Sequence, residues 1–182
     1  MNRSFSVAAL GCLALVSLST ASDAQLISPK PVQFGIAAGA VIPSGDLSDG
    51  VNTGFNGTVL VGFRPAMIPL GIRLEGAYNQ MGAKGGGGNV HIISVTGNLV
   101  YKFPSETVSP YAIGGAGWCQ TAISITGFGT VSDNHFCWNA GGGIEMQLSG
   151  FQTFIEARYN KVQVSNGNGT LAYIPITFGV MF

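Results

Sequence analysis

The charged residues best placed for chemistry form two short pairs of opposite sign. Arg73 and Glu75 are two residues apart, and so are Glu156 and Arg158. Since residues two apart on a strand point to the same face, each pair would set a cation beside a carboxylate on one side of a sheet. Two further charges fall on the polar faces of other candidate strands. The complete predicted group is Arg73, Glu75, Lys102, Glu145, Glu156 and Arg158.

Such a group has two possible roles if it lies inside a narrow structure. Desolvated charges must pair, so the first reading is a structural ion-pair network that fills the interior. The second reading is the charged lining of a gated or ion-selective path.

The histidines do not complete a catalytic or metal-binding pattern. His91 and Ser94 would point to opposite faces of a strand because they are three residues apart. His135 is expected in a loop after Asp133, with no serine placed beside it by spacing. Two histidines are also too few for a convincing metal site. We therefore predict no catalytic, cofactor-binding or metal-ligating residue, no cofactor, and no enzymatic activity.

The composition suggests a chain whose surface does not face water. The 182 residues are enough for one domain, and only 9% are charged, against about 25% in an ordinary soluble domain. The formal net charge is zero, so no basic excess favours a nucleic-acid partner.

The first 24 residues have the features of a cleavable signal peptide. A short positive segment with Arg3 precedes the apolar run SVAALGCLALVSLS, and small residues ending at Ala24 resemble a cleavage site. The expected organisation is a signal peptide at 1–24 and a single mature domain at 25–182.

No apolar run after Ala24 is long enough to cross a bilayer as a helix, which needs about 18 residues or more. Helices and closed β-barrels are the two structures that satisfy every backbone group in a bilayer. The composition therefore leaves a transmembrane barrel or a glycine-rich soluble β-sandwich.

Alternation of apolar and polar residues predicts eight strands of about ten residues each. In VHIISVTGNLVYKF, for example, Val95 and Leu99 share one face while Thr96 and Asn98 share the other. Short turns and longer polar loops alternate between the strands, as in outer-membrane barrels. The predicted longer loops are 43–52, 80–89, 120–135 and 163–169. We predict an all-β, eight-stranded, antiparallel, up-and-down transmembrane β-barrel preceded by a cleavable signal peptide.

Several segments resemble the small eight-stranded bacterial outer-membrane barrels of the OmpA, OmpX and opacity type. They are FGIAAGAVIPSGDL, PYAIGGAGW, FIEARYNKV and the terminal IPITFGVMF. The resemblance implies export through the periplasm, contact with outer-membrane lipid, and a last strand that the barrel-assembly machinery reads as an insertion signal. The residues that match this signal are Ile176, Phe178, Val180 and Phe182. Pro175 cannot donate a ladder hydrogen bond, so we expect a bulge there.

Cys119 and Cys137 flank the longest predicted loop, and the periplasm is oxidising, so a structural disulfide is predicted. If Trp118 and Trp138 face lipid, both sulfurs face inward. The same facing turns Tyr111 inward, although its position near a strand end suggests an aromatic belt at the membrane boundary. The predicted belt comprises Phe63, Tyr101, Phe103, Tyr111, Tyr159 and Phe182.

The expected function is a non-enzymatic structural or surface-interaction role through the outer loops, with an extracellular ligand that the sequence does not identify. One alternative is an adhesin or ligand-binding barrel whose specificity lies in loops 43–52 and 120–135. A second alternative is a lipid A-modifying enzyme. Lipid A deacylases of this size carry a His-x-Ser element, whereas His91 is followed by two isoleucines before Ser94.

Overall fold

The chain folds into a closed, eight-stranded antiparallel barrel in which each strand pairs with its neighbours in sequence and β8 pairs with β1. The computed structural model describes residues 31–65, 68–105, 108–125, 129–164 and 171–182. The predicted fold class and strand number are confirmed. The elements are β1 Val32–Ser44, α1 Leu47–Gly50, β2 Gly54–Phe63, β3 Leu70–Gly82, β4 Gly88–Lys102, β5 Val108–Ile125, β6 Gly129–Leu148, β7 Phe151–Gln163 and β8 Leu171–Met181.

The apolar residues of the alternating pattern cover the outside of the barrel. Val59, Leu99 and Phe178 are 62%, 55% and 56% exposed. A sandwich would bury these side chains between two sheets, so the soluble alternative is wrong. The polar residues of the same strands face inward, as Thr58, Asn98 and Thr177 do. Among the described residues, no helix has the length and apolar character needed to cross a bilayer.

The last strand closes the barrel against the first. Phe34 and Phe182 exchange two backbone hydrogen bonds, of 3.1 and 2.8 Å between nitrogen and oxygen. The predicted bulge at Pro175 is wrong. The β7–β8 register is the same before and after it, at Ala157↔Ile176 and Asn160↔Tyr173, and only the pairing between these positions is interrupted. The missing N–H of proline therefore costs local ladder bonds without shifting the strand.

The barrel has two unlike ends. The turn end carries the β2–β3, β4–β5 and β6–β7 connections, and the loop end carries the other four connections. At the loop end, three predicted loops contain regular structure, and 80–89 includes the end of β3 and the start of β4. The segment 43–52 includes α1, and most of 120–135 is a continuation of β5 and β6. The prediction that His135 lies in a loop is wrong, since it faces inward from β6.

Glycines on the inner face of the barrel make room for rings that project from other strands. A Cβ at Gly179 would lie 2.3 Å from Cζ of Phe154, and a Cβ at Gly143 would lie 2.6 Å from the hydroxyl of Tyr111. The belt prediction is wrong for Tyr111, which is 3% exposed inside the barrel. The other five aromatic residues of the predicted belt are exposed on the outer face.

Candidate functional site

Four of the predicted charges meet in the middle of the lumen. Arg73 and Glu75 lie on β3, and Glu156 and Arg158 lie on β7, half-way around the ring. Arg73 Nη1 is 2.8 Å from Glu156 Oε2 and 3.3 Å from Glu75 Oε1. Arg158 pairs with Glu75 through Nη1 and with Glu156 through Nε, the latter at 2.7 Å. These four residues, here called the central quartet, carry no net charge.

Neutral neighbours complete the surroundings of the central quartet. The Tyr111 hydroxyl donates a hydrogen bond to Glu156 Oε2 at 2.7 Å, and the Asn98 amide donates to Glu75 Oε2 at 3.2 Å. Arg73 Cζ lies 5.5 Å from the ring centre of Tyr111 and 5.3 Å from that of Phe154, within the range of cation–π attraction. Each buried charge therefore has opposite charge or polar groups around it, which buried ions require.

Lys102 and Glu145 form a second group nearer the turn end. Glu145 Oε1 contacts Lys102 Nζ and lies 3.7 Å from Arg64 Nη2. Within the described ranges, no ion pair joins this group to the central quartet. Arg64 was not among the predicted partners, although alternation places it on the polar face, two residues after Gly62.

Little space remains around these charges. A cavity beside Arg73 and Glu145 at the turn end has a volume of about 20 Å³, and another between Glu75 and Arg158 has about 10 Å³. Each is close to the minimum for a single water molecule. An eight-stranded interior is just wide enough for its side chains to fill, and these two cavities leave room for little more than one water molecule each.

An apolar layer closes the loop end of the lumen, and the disulfide belongs to it. Cys119 and Cys137 are bonded, with 5.9 Å between their Cα atoms, and both are buried. Leu47, which belongs to α1 and not to a strand, also packs against this layer. The inward members of the cluster are Val41, Met81, Val90, Ile92, Cys119, Cys137, Val162 and Tyr173.

The tryptophans beside the cysteines point outward, as the disulfide prediction required. Trp118 is exposed on the outer face, and Trp138 packs against Tyr159 with 5.9 Å between ring centres.

The histidines lie apart from each other and from a nucleophile. The ring of His91 is on the outer face, with Nδ1 2.7 Å from the Tyr78 hydroxyl, whereas Ser94 faces the lumen. His135 Nε2 is 3.9 Å from Asp133 Oδ2. The described residues contain no group of three side chains that could hold a metal ion.

The residues of the predicted insertion signal lie on the outer face of β8. Ile176, Phe178 and Phe182 are exposed, and Val180 is half-buried. Their role in assembly remains a prediction. The predicted signal peptide lies outside the described residues.

The family model for the outer membrane protein beta-barrel domain matches residues 8–182. The chain belongs to this family. It is therefore an outer-membrane protein, and its apolar outer face contacts lipid. Short turns of such barrels are periplasmic, so the loop end is extracellular.

Solved structures of small outer-membrane barrels share the fold at low sequence identity. Neisserial surface protein A has a TM-score of 0.68 and 16% identity, over 84% of this chain and 96% of that chain. Ail, the attachment invasion locus protein of Yersinia pestis, has a TM-score of 0.51 and 19% identity, over 84% and 100%. The N-terminal barrel of OprF from Pseudomonas aeruginosa has a TM-score of 0.50 and 14% identity, over 82% and 96%. No curated protein matches the chain in sequence.

Proposed function

We propose that this barrel is a non-enzymatic surface-interaction protein that contacts an extracellular partner through its β5–β6 hairpin. The observation that carries the proposal is the length of this hairpin. Six register pairs, from Gln120↔Asn134 to Ile125↔Gly129, lie between the disulfide and the tip of the hairpin. The β6–β7 pairing, in contrast, ends at Phe136↔Gln163. Among the described residues, the outer part of β6 is thus paired with β5 alone.

The outer hairpin presents apolar side chains where a soluble partner could reach them. Ile123 and Val131 are directly paired across the two strands and are 45% and 76% exposed. On the other face of the strands, the hydroxyls of Ser124 and Thr130 are 2.9 Å apart. A paired, disulfide-anchored hairpin loses less conformational freedom on binding than an unstructured loop would, which favours binding.

The interior supports a surface role over a transport role. The central quartet pairs its own charges, and the neighbouring cavities hold about 20 and 10 Å³. A solute path would have to open both this polar layer and the apolar layer around the disulfide. The separation of His91 from Ser94 across the barrel wall likewise weighs against a histidine-activated serine.

Attachment of cells is the activity to assay, because the structurally similar Ail is named for attachment. The wild-type chain and a double variant, Ile123→Ser with Val131→Ser, would be expressed in a bacterial host without such a barrel. Attachment to cultured epithelial cells should rise with the wild type and return to the host level with the variant. Ser124→Ala with Thr130→Ala is the matched control on the other face and should attach like the wild type.

Two results would contradict the proposal. One is equal attachment by the wild type and the double variant when both show the same amount of folded barrel. The other is a changed lipid A mass in expressing cells, which would favour the lipid-modifying alternative. Unchanged attachment together with a weakened envelope in a deletion strain would favour a purely structural role.

A further inference from the structure

The lipid-facing surface contains a groove on the side formed by β1 to β4. Its volume is about 360 Å³, and apolar side chains form its walls. Phe34 and Ile36 border it on β1, Val59 and Val61 on β2, and Leu74 and Val95 on the side of β3 and β4. This volume falls within the range of small-molecule sites, about 300–1,000 Å³.

Missing side chains create the depression and extend it towards the extracellular end. Gly76 lies in the groove, between Val59 on one side and Val95 on the other. Two residues further along, Gly57 is paired with Tyr78, and nothing lies within 4 Å of a Cβ built at Gly57. Ala38 is the neighbour of Gly57 on β1 and adds only a methyl group.

A polar cluster lies on the extracellular side of the groove, on β3 and β4. Tyr78 follows Gly76 on the outer face of β3, and its hydroxyl lies 2.7 Å from His91 Nδ1 and 3.2 Å from Gln80 Oε1. Gln80 and His91 are cross-strand partners. The cluster faces outward at the level where the outer face changes from apolar to polar, so it lies at the boundary of the outer leaflet.

We propose that the groove binds one acyl chain of an outer-leaflet lipid, whose ester and sugar groups bond to the Tyr78–Gln80–His91 cluster. The occupant follows from the position of the groove. It opens onto the surface that contacts hydrocarbon, and the polar cluster meets the point where a chain passes into its headgroup. The Gln80 amide nitrogen supplies a donor for ester or hydroxyl oxygens, and the remaining ring nitrogen of His91 donates or accepts according to its tautomer. The site is independent of the hairpin on β5 and β6.

The chain provides a variant that fills the groove and a matched control that does not. A Cβ at Gly76 lies 3.6 Å from Val59 Cγ2, an ordinary contact, so Gly76→Leu would occupy the groove without strain. Gly97 also faces outward on a neighbouring strand, with nothing within 4 Å of its built Cβ, and it does not line the groove. Gly97→Leu therefore changes the lipid face equally, but elsewhere.

The test is native mass spectrometry of delipidated barrels in detergent with added lipid A. We expect the wild type and Gly97→Leu to retain one lipid A per barrel. Gly76→Leu should retain about tenfold less, because the leucine removes the dispersion contacts of several chain methylenes. His91→Phe keeps a ring but removes the hydrogen bonds, and it should weaken retention by a smaller factor.

Several outcomes would overturn the proposal. They are no bound lipid on the wild type, equal retention by Gly76→Leu and the wild type, and equal loss in both leucine variants. A dimer of the wild type that Gly76→Leu disrupts, without an effect on lipid, would assign the groove to a second copy instead. Heat-modifiable gel mobility shows whether each variant is folded, and Gly57→Leu replaces Gly76→Leu if the latter does not fold.

Discussion

Arg73 and Glu156 meet inside the barrel at 2.8 Å, although they are 83 residues apart in sequence and lie on strands half-way around the ring. This contact joins opposite walls, and the pairing of Arg158 with Glu75 repeats it in the other direction. The central quartet therefore links opposite walls of the barrel and also fills the middle of its lumen. The two pairs across the lumen require β3 and β7 to face each other in the closed barrel, whereas the Arg73–Glu75 and Glu156–Arg158 pairs lie within single strands.

Removing one cation from the quartet should destabilise the barrel strongly. In Arg73→Met, two buried carboxylates share one guanidinium, and breaking a buried pair in this way costs about 3–5 kcal/mol. Urea unfolding in micelles, followed by the fluorescence of the two tryptophans, measures the change. Lys102→Met is the matched control. Glu145 keeps Arg64 as a partner there, so we expect a loss of only about 1 kcal/mol. Equal losses would show that the quartet has no special role.

The Tyr111 hydroxyl should contribute separately from its ring. Tyr111→Phe keeps the ring beside Arg73 but removes the hydrogen bond to Glu156. Hydrogen bonds to charged groups are worth about 1.5–3 kcal/mol, and the same unfolding measurement should show a loss in that range. Tyr101→Phe on the lipid-facing side serves as the control and should be nearly neutral. A neutral Tyr111→Phe would mean that Glu156 is satisfied without the hydroxyl.

Loss of the disulfide should loosen the extracellular hairpin more than the barrel. The bond closes a loop with a sequence separation of 18 residues, which corresponds to about 3 kcal/mol in the chain-entropy model. Replacing Cys119 and Cys137 together by Ala should increase proteolytic cleavage between 120 and 135 on intact cells. The heat-modifiable mobility of the barrel should persist. Cleavage at the wild-type rate would indicate that strand pairing alone orders the hairpin.

The inner glycines should be intolerant of side chains that the outer glycines accept. Gly179→Leu would place its Cβ 2.3 Å from Cζ of Phe154, so we expect little folded barrel in the outer membrane. Adding Phe154→Ala should restore folding in part, because the ring is what the new side chain meets. Gly97→Leu, which faces outward into open space, should fold like the wild type. Normal folding of Gly179→Leu would contradict the packing described here.

The barrel could be predicted from sequence because alternation with a period of two shows which face of each strand is apolar. Phe34, Val59 and Leu99 face lipid as their spacing indicates. The ends of the strands could be predicted less accurately. The β5–β6 pairing continues beyond Gln120 and His135, although the polar residues between them indicated a loop.

Contacts across the lumen also could not be predicted from the alternation of apolar and polar residues. Alternation predicted that Arg73 and Glu156 point inward. Their contact, however, depends on the register of every strand pair around the barrel. The facing of the glycine-rich β5 and β6 could not be read from apolar content. Their glycines make room for large side chains on the neighbouring strand, as Gly143 of β6 does for Tyr111 of β5.

Conductance across a planar lipid bilayer tests the central claim most directly, namely that a sealed lumen leaves the surface as the place where this protein acts. Purified barrel should give no steady current at moderate voltage. Its insertion is checked by recovering protease-protected, heat-modifiable protein from the membrane. Reproducible ohmic openings of one size from the wild type would show a continuous water path past Arg73 and Glu156 and would contradict the account.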